Sequence, residues 1–406
     1  MASKLKILYL SYWNSSDVLT KATVLPNLSI LETLEEIEHL IWCNVERLKD
    51  CGKERLGSKI THIPLKSYTK KLSSLGQILD FIILPKLLKQ IVSENEIDLI
   101  IARSSPAGAL AYLVHKRCNI PYVVESFEPH SEYMRYSGVW NKLGLKYTFQ
   151  KHWEKKQIET ALQLITVSKN YKEFLAKSGS SNIDIKVVRC VVDLDKMSFS
   201  EKARTNIREE LGWNDSIIGI YTGKLGGLYF EKESLLLFRY AFDEFGDKFR
   251  LIILSNQPKS WILEKLDEHK IPLDKTLVTY VEHELISNFL SAADFTFAPI
   301  KKSPVSKFCS PIKVGESWAI GLPVLLTEEI GDDSAIILEE GGGIVFTPSV
   351  QGLRNGIVKM KGLIESGINK KETHYLAEKY RSLSFTRNTY IALINKMNEA
   401  KKHVVI

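Results

Sequence analysis

The stretch Ser310-Pro311-Ile312-Lys313-Val-Gly-Glu316-Ser-Trp-Ala-Ile-Gly321-Leu-Pro323-Val324 sets a cation and a carboxylate one helical turn apart. Ser310 suits an N-cap and Pro311 a first helical residue, so a helix is expected to start here with free backbone N–H groups, which favour an anion. Lys313 in the first turn opposes the helix dipole unless an anion settles there, and a diphosphate would satisfy both. Ile312, Glu316 and Ile320 recur every four residues, which places a carboxylate in an otherwise apolar stripe. Two ribose hydroxyls would satisfy such a carboxylate. The competing reading is a solvated i, i+3 pair on a capped helix.

Other candidates lie at the ends of apolar runs. Gly223-Lys224-Leu-Gly226-Gly227 follows one such run; its glycines let a ligand approach the backbone and Lys224 supplies charge, or it is a plain strand-end turn. Arg103 and Ser104 follow another run. Glu125-Ser-Phe-Glu128-Pro-His130-Ser-Glu132 gathers three carboxylates and a histidine after the next. Glu125 first and His130 second are expected to orient or deprotonate an acceptor hydroxyl, with Arg103 fixing a carboxylate; a solvated loop with a helix-capping acid is the alternative. Asp193-Leu-Asp195 has a metal-binding look, but it falls at an expected linker. Lys313 on a helix start neutralises diphosphate without a cation, so no metal is expected.

The 310–324 segment resembles the donor-site signature of GT-B glycosyltransferases of the retaining family numbered 4, S-P-x-K-x-x-E followed by A-x-G-x-P-V, with every position filled. The likeness is strong between about 160 and 346. The Gly223 to Gly227 loop matches the family's glycine-rich loop, and Val281-Glu-His283-Glu falls where the family holds the nucleotide base. The resemblance implies two doubly wound Rossmann-like α/β domains facing across a cleft. It also implies transfer with retention, and donor-binding roles for Gly223, Lys224, Gly226, Gly227, His283, Ser310, Pro311, Ile312, Lys313 and Glu316. Lys313 is also counted with Glu125, His130 and Arg103 among the catalytic candidates. Two departures stand out: Phe308 replaces the first glutamate of the family's E-x7-E pair, and Ser15-Ser16 replace paired glycines of the first acceptor-domain loop.

These residues need strands to hold them. Apolar runs at 6–11, 40–44, 98–104, 121–126, 162–168 and 185–190 alternate with helix-period segments, and the pattern restarts at 216–222, 249–255, 276–281, 294–299, 322–327 and 343–346. Continuous apolar strands between helices imply parallel sheets covered on both faces. An acceptor domain over 1–192 and a donor domain over 198–380 are expected, with a final helix over 384–406 packed back on the first.

The chain has 406 residues with a net charge of +7, which suits two domains and acidic partners such as nucleotide phosphates. Five cysteines without a C-x-x-C spacing suggest neither a disulfide framework nor a zinc site. No signal-peptide h-region and no run of membrane-spanning length is visible, so a cytoplasmic location is expected. Residues 65–89 and 140–156 interleave lysines with aromatic and aliphatic residues, which suits peripheral contact with a lipid headgroup layer, or core-packed helices with cationic outer faces. Nucleic-acid binding is not expected, because the charge is small for the length and no recognition motif is visible.

The expected activity is transfer of a sugar from a UDP-, GDP- or other nucleotide-sugar to a hydroxyl of a glycan or lipid-linked acceptor, in surface polysaccharide, lipopolysaccharide or glycolipid assembly. A sugar-nucleotide epimerase of the same fold and a nucleotide-sugar-binding protein with a decayed site are the alternatives.

Overall fold

A computed structural model describes residues 4–17, 19–47, 56–68, 74–178 and 183–404. The chain forms two compact units, one of Met1–Arg189 with Ser384–Ile406 and the other of Cys190–Leu383.

In the first unit, β1 (Leu5–Ser11), β2 (Ile37–Glu46), β3 (Ile60–Lys66), β4 (Leu99–Arg103), β5 (Tyr122–Phe127), β6 (Gln163–Thr166) and β7 (Asp184–Val187) make one sheet. Its order is β3-β2-β1-β4-β5-β6-β7, and every pairing is parallel. Ile7 to Leu10 of β1 and Leu99 to Ala102 of β4 read as unbroken apolar runs because helices cover both faces of the sheet. β3 escapes the periodicity argument: it is an edge strand, only half covered, with Thr61, His62 and Pro64 in it. Proline is tolerated there because an edge strand has one unpaired side. The last helix, Leu383–Val404, buries Tyr390, Leu393, Ile394 and Met397 in the same core as Leu5, Ile7 and Tyr9. Those spacings form a single helical stripe.

In the second unit, β8 (Ile217–Thr222), β9 (Phe249–Leu254), β10 (Thr276–Thr279), β11 (Phe295–Ala298), β12 (Val324–Thr327) and β13 (Gly343–Phe346) form a parallel sheet in the order β10-β9-β8-β11-β12-β13. Ile218 and Ile220 of β8 face one apolar layer with Val314 and Trp318. Tyr221 turns to the other, with Phe238, Phe249, Phe295 and Phe297. The helix Ile312–Ile320 joins β11 to β12 and ends at Gly321, whose φ of 79° is the left-handed stop that glycine favours. A Cβ there would also lie 2.8 Å from the carbonyl oxygen of Lys370, so the glycine lets the helix Lys370–Arg381 pack close.

Candidate functional site

In both sheets, the polar side chains of interest lie at or beyond the carboxyl ends of parallel strands, the edge at which open α/β sheets bind ligands. In the second unit β8 ends at Thr222 and the chain turns through Gly223, Gly226 and Gly227, with φ of 125°, 87° and 65°. The Gly223 N–H donates to the carbonyl of Leu254 at the end of β9, 2.8 Å away. Gln257 fastens the loop from outside: its Oε1 accepts from the Leu225 N–H at 2.6 Å and its Nε2 donates to the Leu225 carbonyl at 3.1 Å. Sequence reasoning missed Gln257, although its place just beyond β9 was a usable signal. Lys224 is exposed, as is Lys232 at the start of the helix Lys232–Phe245.

Lys313 reaches this loop from ninety residues away. Its Nζ donates to the Thr222 carbonyl at 2.8 Å, and a Cβ at Gly223 would sit 3.3 Å from it. The ammonium lies 3.8 Å from the ring centre of Tyr229 and 5.0 Å from that of Tyr221, two aromatic partners that sequence reasoning also missed. Burial disfavours the charge and pulls the Lys313 pKa down to about 7, with Glu316 pulling the other way. Lys313 and Glu316 are each only 6% exposed, which excludes the solvated surface pair. Glu316 instead meets His283, whose Nε2 lies 3.0 Å from Oε1. His283 starts the short turn His283–Leu285 beyond β10, so strand ends of the same sheet supply both partners of the carboxylate and of the lysine.

The helix start differs from the expectation. Pro311 is the capping residue, Ile312 the first helical one, and no side chain caps the end. The Ser310 hydroxyl accepts from the Cys190 N–H at 3.0 Å and from the Arg381 guanidinium. Arg381 explains the difference. Its side chain is fully buried, donates to both Asp333 oxygens at 2.6 Å and to the Cys190 carbonyl at 3.1 Å, and takes Ser310 as a further acceptor. A buried guanidinium has more need of acceptors than a helix start has of a cap. The first-turn N–H groups of Ile312 and Lys313 therefore carry no side-chain cap. Phe308 is buried at 4% exposure, in the turn Ser306–Phe308 just before this helix.

The acidic cluster of the first unit divides. Glu125, expected to act on an acceptor hydroxyl, is 3% exposed with both oxygens occupied. Oε1 accepts from Tyr9, from Asn27 Nδ2 at 3.0 Å and from Arg103 Nη1 at 3.0 Å, while Oε2 accepts from Tyr390 of the last helix. Burial and the Glu125 charge push both tyrosine hydroxyls well above their ordinary range, so they remain donors. This carboxylate, with Arg103, ties the last helix to the sheet and does not fit the role of an acceptor base.

His130 opens the helix His130–Tyr136 with its ring edge-on to Trp140, centroids 5.6 Å apart, and burial lowers its pKa to about 4, leaving a neutral imidazole at neutral pH. Glu128 and Glu154 are pushed up to about 7 by burial, Glu128 also by the Glu154 charge. Glu154 accepts from the Ser131 N–H at 2.8 Å and hydroxyl at 2.7 Å. Glu132 is held by Tyr147 at 2.6 Å and Lys151 at 2.7 Å. Asp193 accepts from the N–H groups of Asp195 and Lys196, which gives this pair a turn-forming role. Among the described residues no group of three or more His, Cys, Asp or Glu side chains is placed to hold a metal ion.

Residues 51–196 match the family model described as Glycosyltransferase Family 4. No curated protein sequence matches the chain. Solved structures do: sucrose-phosphate synthase from Thermosynechococcus elongatus superposes with a TM-score of 0.74 at 14% identity, over 97% of this chain and 100% of that one. HepE of Anabaena, in complex with UDP, gives 0.71 at 13% identity over 97% and 100%. WaaG, a glycosyltransferase involved in lipopolysaccharide biosynthesis, gives 0.68 at 12% identity over 94% and 98%. The chain thus has the GT-B fold of two Rossmann-like units, and over residues 51–196 it resembles Glycosyltransferase Family 4 in sequence.

Proposed function

We propose that the protein is a glycosyltransferase that moves a sugar from a nucleoside-diphosphate sugar to an acceptor hydroxyl, with retention, in the assembly of a surface polysaccharide, lipopolysaccharide or glycolipid. The observation that carries the donor half is the burial of Lys313 against the glycine loop, with its Nζ on the Thr222 carbonyl. A lysine brought out of water beside three glycines and an uncapped helix start is a site in want of an anion. In this reading the diphosphate lies between the loop and the first turn of Ile312–Ile320. The ribose hydroxyls donate to Glu316, and His283 lies beside them toward the base.

Negative charge grows on the diphosphate as the sugar–phosphate bond breaks. Lys313 and the first-turn N–H groups stabilise it most at that moment, which is how they speed the step. Lys224, exposed on the loop, adds a second cation. Donor binding needs no metal in this scheme. On the acceptor side, His130 is the remaining candidate for orienting the acceptor hydroxyl, since its neutral imidazole can accept that hydroxyl's hydrogen bond and Glu125 is committed elsewhere.

Calorimetry with UDP, GDP, ADP and CDP and their sugars, on wild type and Lys313→Ala, tests the donor half. Because HepE is seen with UDP, UDP and UDP-glucose come first. Selective binding that Lys313→Ala weakens by about a hundredfold is expected, the loss of one charge-assisted contact; affinity equal in both proteins refutes the site. The buried Phe308, in place of the family's first glutamate, favours one second reading, a nucleotide-sugar-binding protein without turnover. Release of nucleotide from a bound donor, with sugar appearing on an acceptor or on water, decides against that reading.

A further inference from the structure

The loop between the helices His130–Tyr136 and Leu145–Thr160, with the helix ends that flank it, presents aliphatic side chains to solvent. Leu143 is 90% exposed, Leu145 86% and Val139 63%, and Tyr136 and Phe149 at its two ends are exposed as well. Three large aliphatic side chains within seven residues are a concentration that a monomeric surface rarely carries without use. The sequence places no acidic residue between Glu132 and Glu154, but four cations, Arg135, Lys142, Lys146 and Lys151. Arg135 and Lys151 share Glu132 as an ion-pair partner. Lys142 and Lys146, which flank Leu143 and Leu145, have no ion-pair partner among the described residues.

The aromatics that first suggested a lipid contact behave differently. Phe81 of the helix Ser74–Glu94 stacks with Trp153 and meets Phe149 edge-on at 5.0 Å, and Trp153 also packs on Tyr112. They bind the two helices together. On a different face of Ser74–Glu94 from Phe81, Leu79 and Ile82 are exposed in a stripe that continues with Lys86 and Lys89. Lys70, Lys71 and Leu72, counted in the same expectation, lie outside the described residues.

We propose that this loop docks the first unit on an anionic lipid surface, Leu143 and Leu145 entering the headgroup layer and Lys142 and Lys146 meeting the lipid charges. The charge pattern selects this occupant over a second copy of the chain. A two-fold contact centred on this loop would bring Lys142 and Lys146 close to their own equivalents with no acid in the loop to offset them, whereas an anionic leaflet complements them. The shape agrees, since singly protruding side chains on a short loop insert into a deformable layer more readily than they pack on a rigid face. Among the described residues no helix is long and apolar enough to cross a membrane. The inference is independent of the transferase reading.

Sedimentation of the full chain with vesicles of phosphatidylcholine and phosphatidylglycerol in equal parts, and with phosphatidylcholine alone, tests it. Binding is expected to the anionic vesicles, to fall by at least about tenfold in Leu143→Asp/Leu145→Asp and in Lys142→Gln/Lys146→Gln, and to drop in ~1 M salt, where screening reaches ~3 Å. All four side chains are on the surface, so thermal melting of both variants should match wild type. Absence of binding to the anionic vesicles overturns the proposal, and so does equal binding by wild type and both variants. A dimer in light scattering that the aspartate variant dissolves, without vesicle binding, overturns it in favour of a contact between copies. Nucleotide calorimetry without vesicles reports on the donor site separately, so failure of one reading leaves the other measurable.

Discussion

His283 Nε2 stands 3.0 Å from Glu316 Oε1, a contact between a turn beyond β10 and the middle of the helix Ile312–Ile320. Facing a carboxylate, that ring nitrogen must carry the proton and donate. The contact holds one oxygen of Glu316 and leaves Oε2 for a ligand hydroxyl.

Replacing His283 by Ala frees Glu316 from the donor that orients it and should therefore cost nucleoside-diphosphate affinity by about tenfold, less than the loss of the direct contact of Lys313, while His283→Gln keeps a donor and regains part of it. Calorimetric Kd values for the three proteins check this. Equal affinity in all three would separate His283 from ligand binding.

Lys313 predicts a proton taken up with the ligand. Its folded pKa of about 7 lies below the ordinary 10.5, so between those values the unfolded chain holds the proton and the folded one does not. The penalty of the buried charge is fully present below pH 7 and is relieved as pH rises toward 10.5, so this group makes the empty protein more stable with rising pH. A bound diphosphate restores the proton. Diphosphate affinity should accordingly fall as pH is raised from 7 to 9, and binding heat at pH 8 should vary with the ionisation enthalpy of the buffer. Lys313→Met should show neither effect.

The Glu125 node predicts a loss of stability with the donor site spared. Glu125→Ala removes the buried carboxylate shared by Arg103, Tyr9 and Tyr390, and should lower unfolding free energy by about 3–5 kcal/mol. Tyr390→Phe, which removes one hydroxyl, should cost about 1–2 kcal/mol. Urea unfolding measures both. Nucleotide affinity at low denaturant should match wild type in each, because the node lies in the first unit and the donor-side residues in the second.

Glu154 predicts a stability slope of the opposite sign from that of Lys313. Its folded pKa of about 7 is above the ordinary 4.5, so its contribution is fully present below 4.5 and is lost as pH rises through 7. Glu128 follows the same sign. His130, lowered from 6.5 to about 4, adds stability as pH rises between those values and nothing above 6.5. Glu154→Gln should remove its share of the decline, so that melting temperature changes more favourably between pH 5 and 7 than in wild type; an unchanged slope over that range would remove Glu154 as its source.

The parallel strands and the cation–carboxylate helix were legible because their signals are local. Unbroken apolar runs report strands buried on both faces, and a four-residue period reports a helical face. Gly321 marked a helix end that only a left-handed residue makes easily. β3 was not legible, since an edge strand lacks that run and carries Pro64. Only the tertiary structure decided the partners. Ser310 reads as a cap in any local account, yet it serves Arg381, seventy-one residues away. Glu125 reads as a free acid after a strand, yet it is spent on Tyr9 and on Tyr390, 265 residues away. A carboxylate or hydroxyl takes whichever donor the fold buries beside it, and burial is a property of the assembled core rather than of neighbouring residues. The sequence by itself determined which elements form and where charge stands on them; the packing within each unit determined which of those charges remain for chemistry.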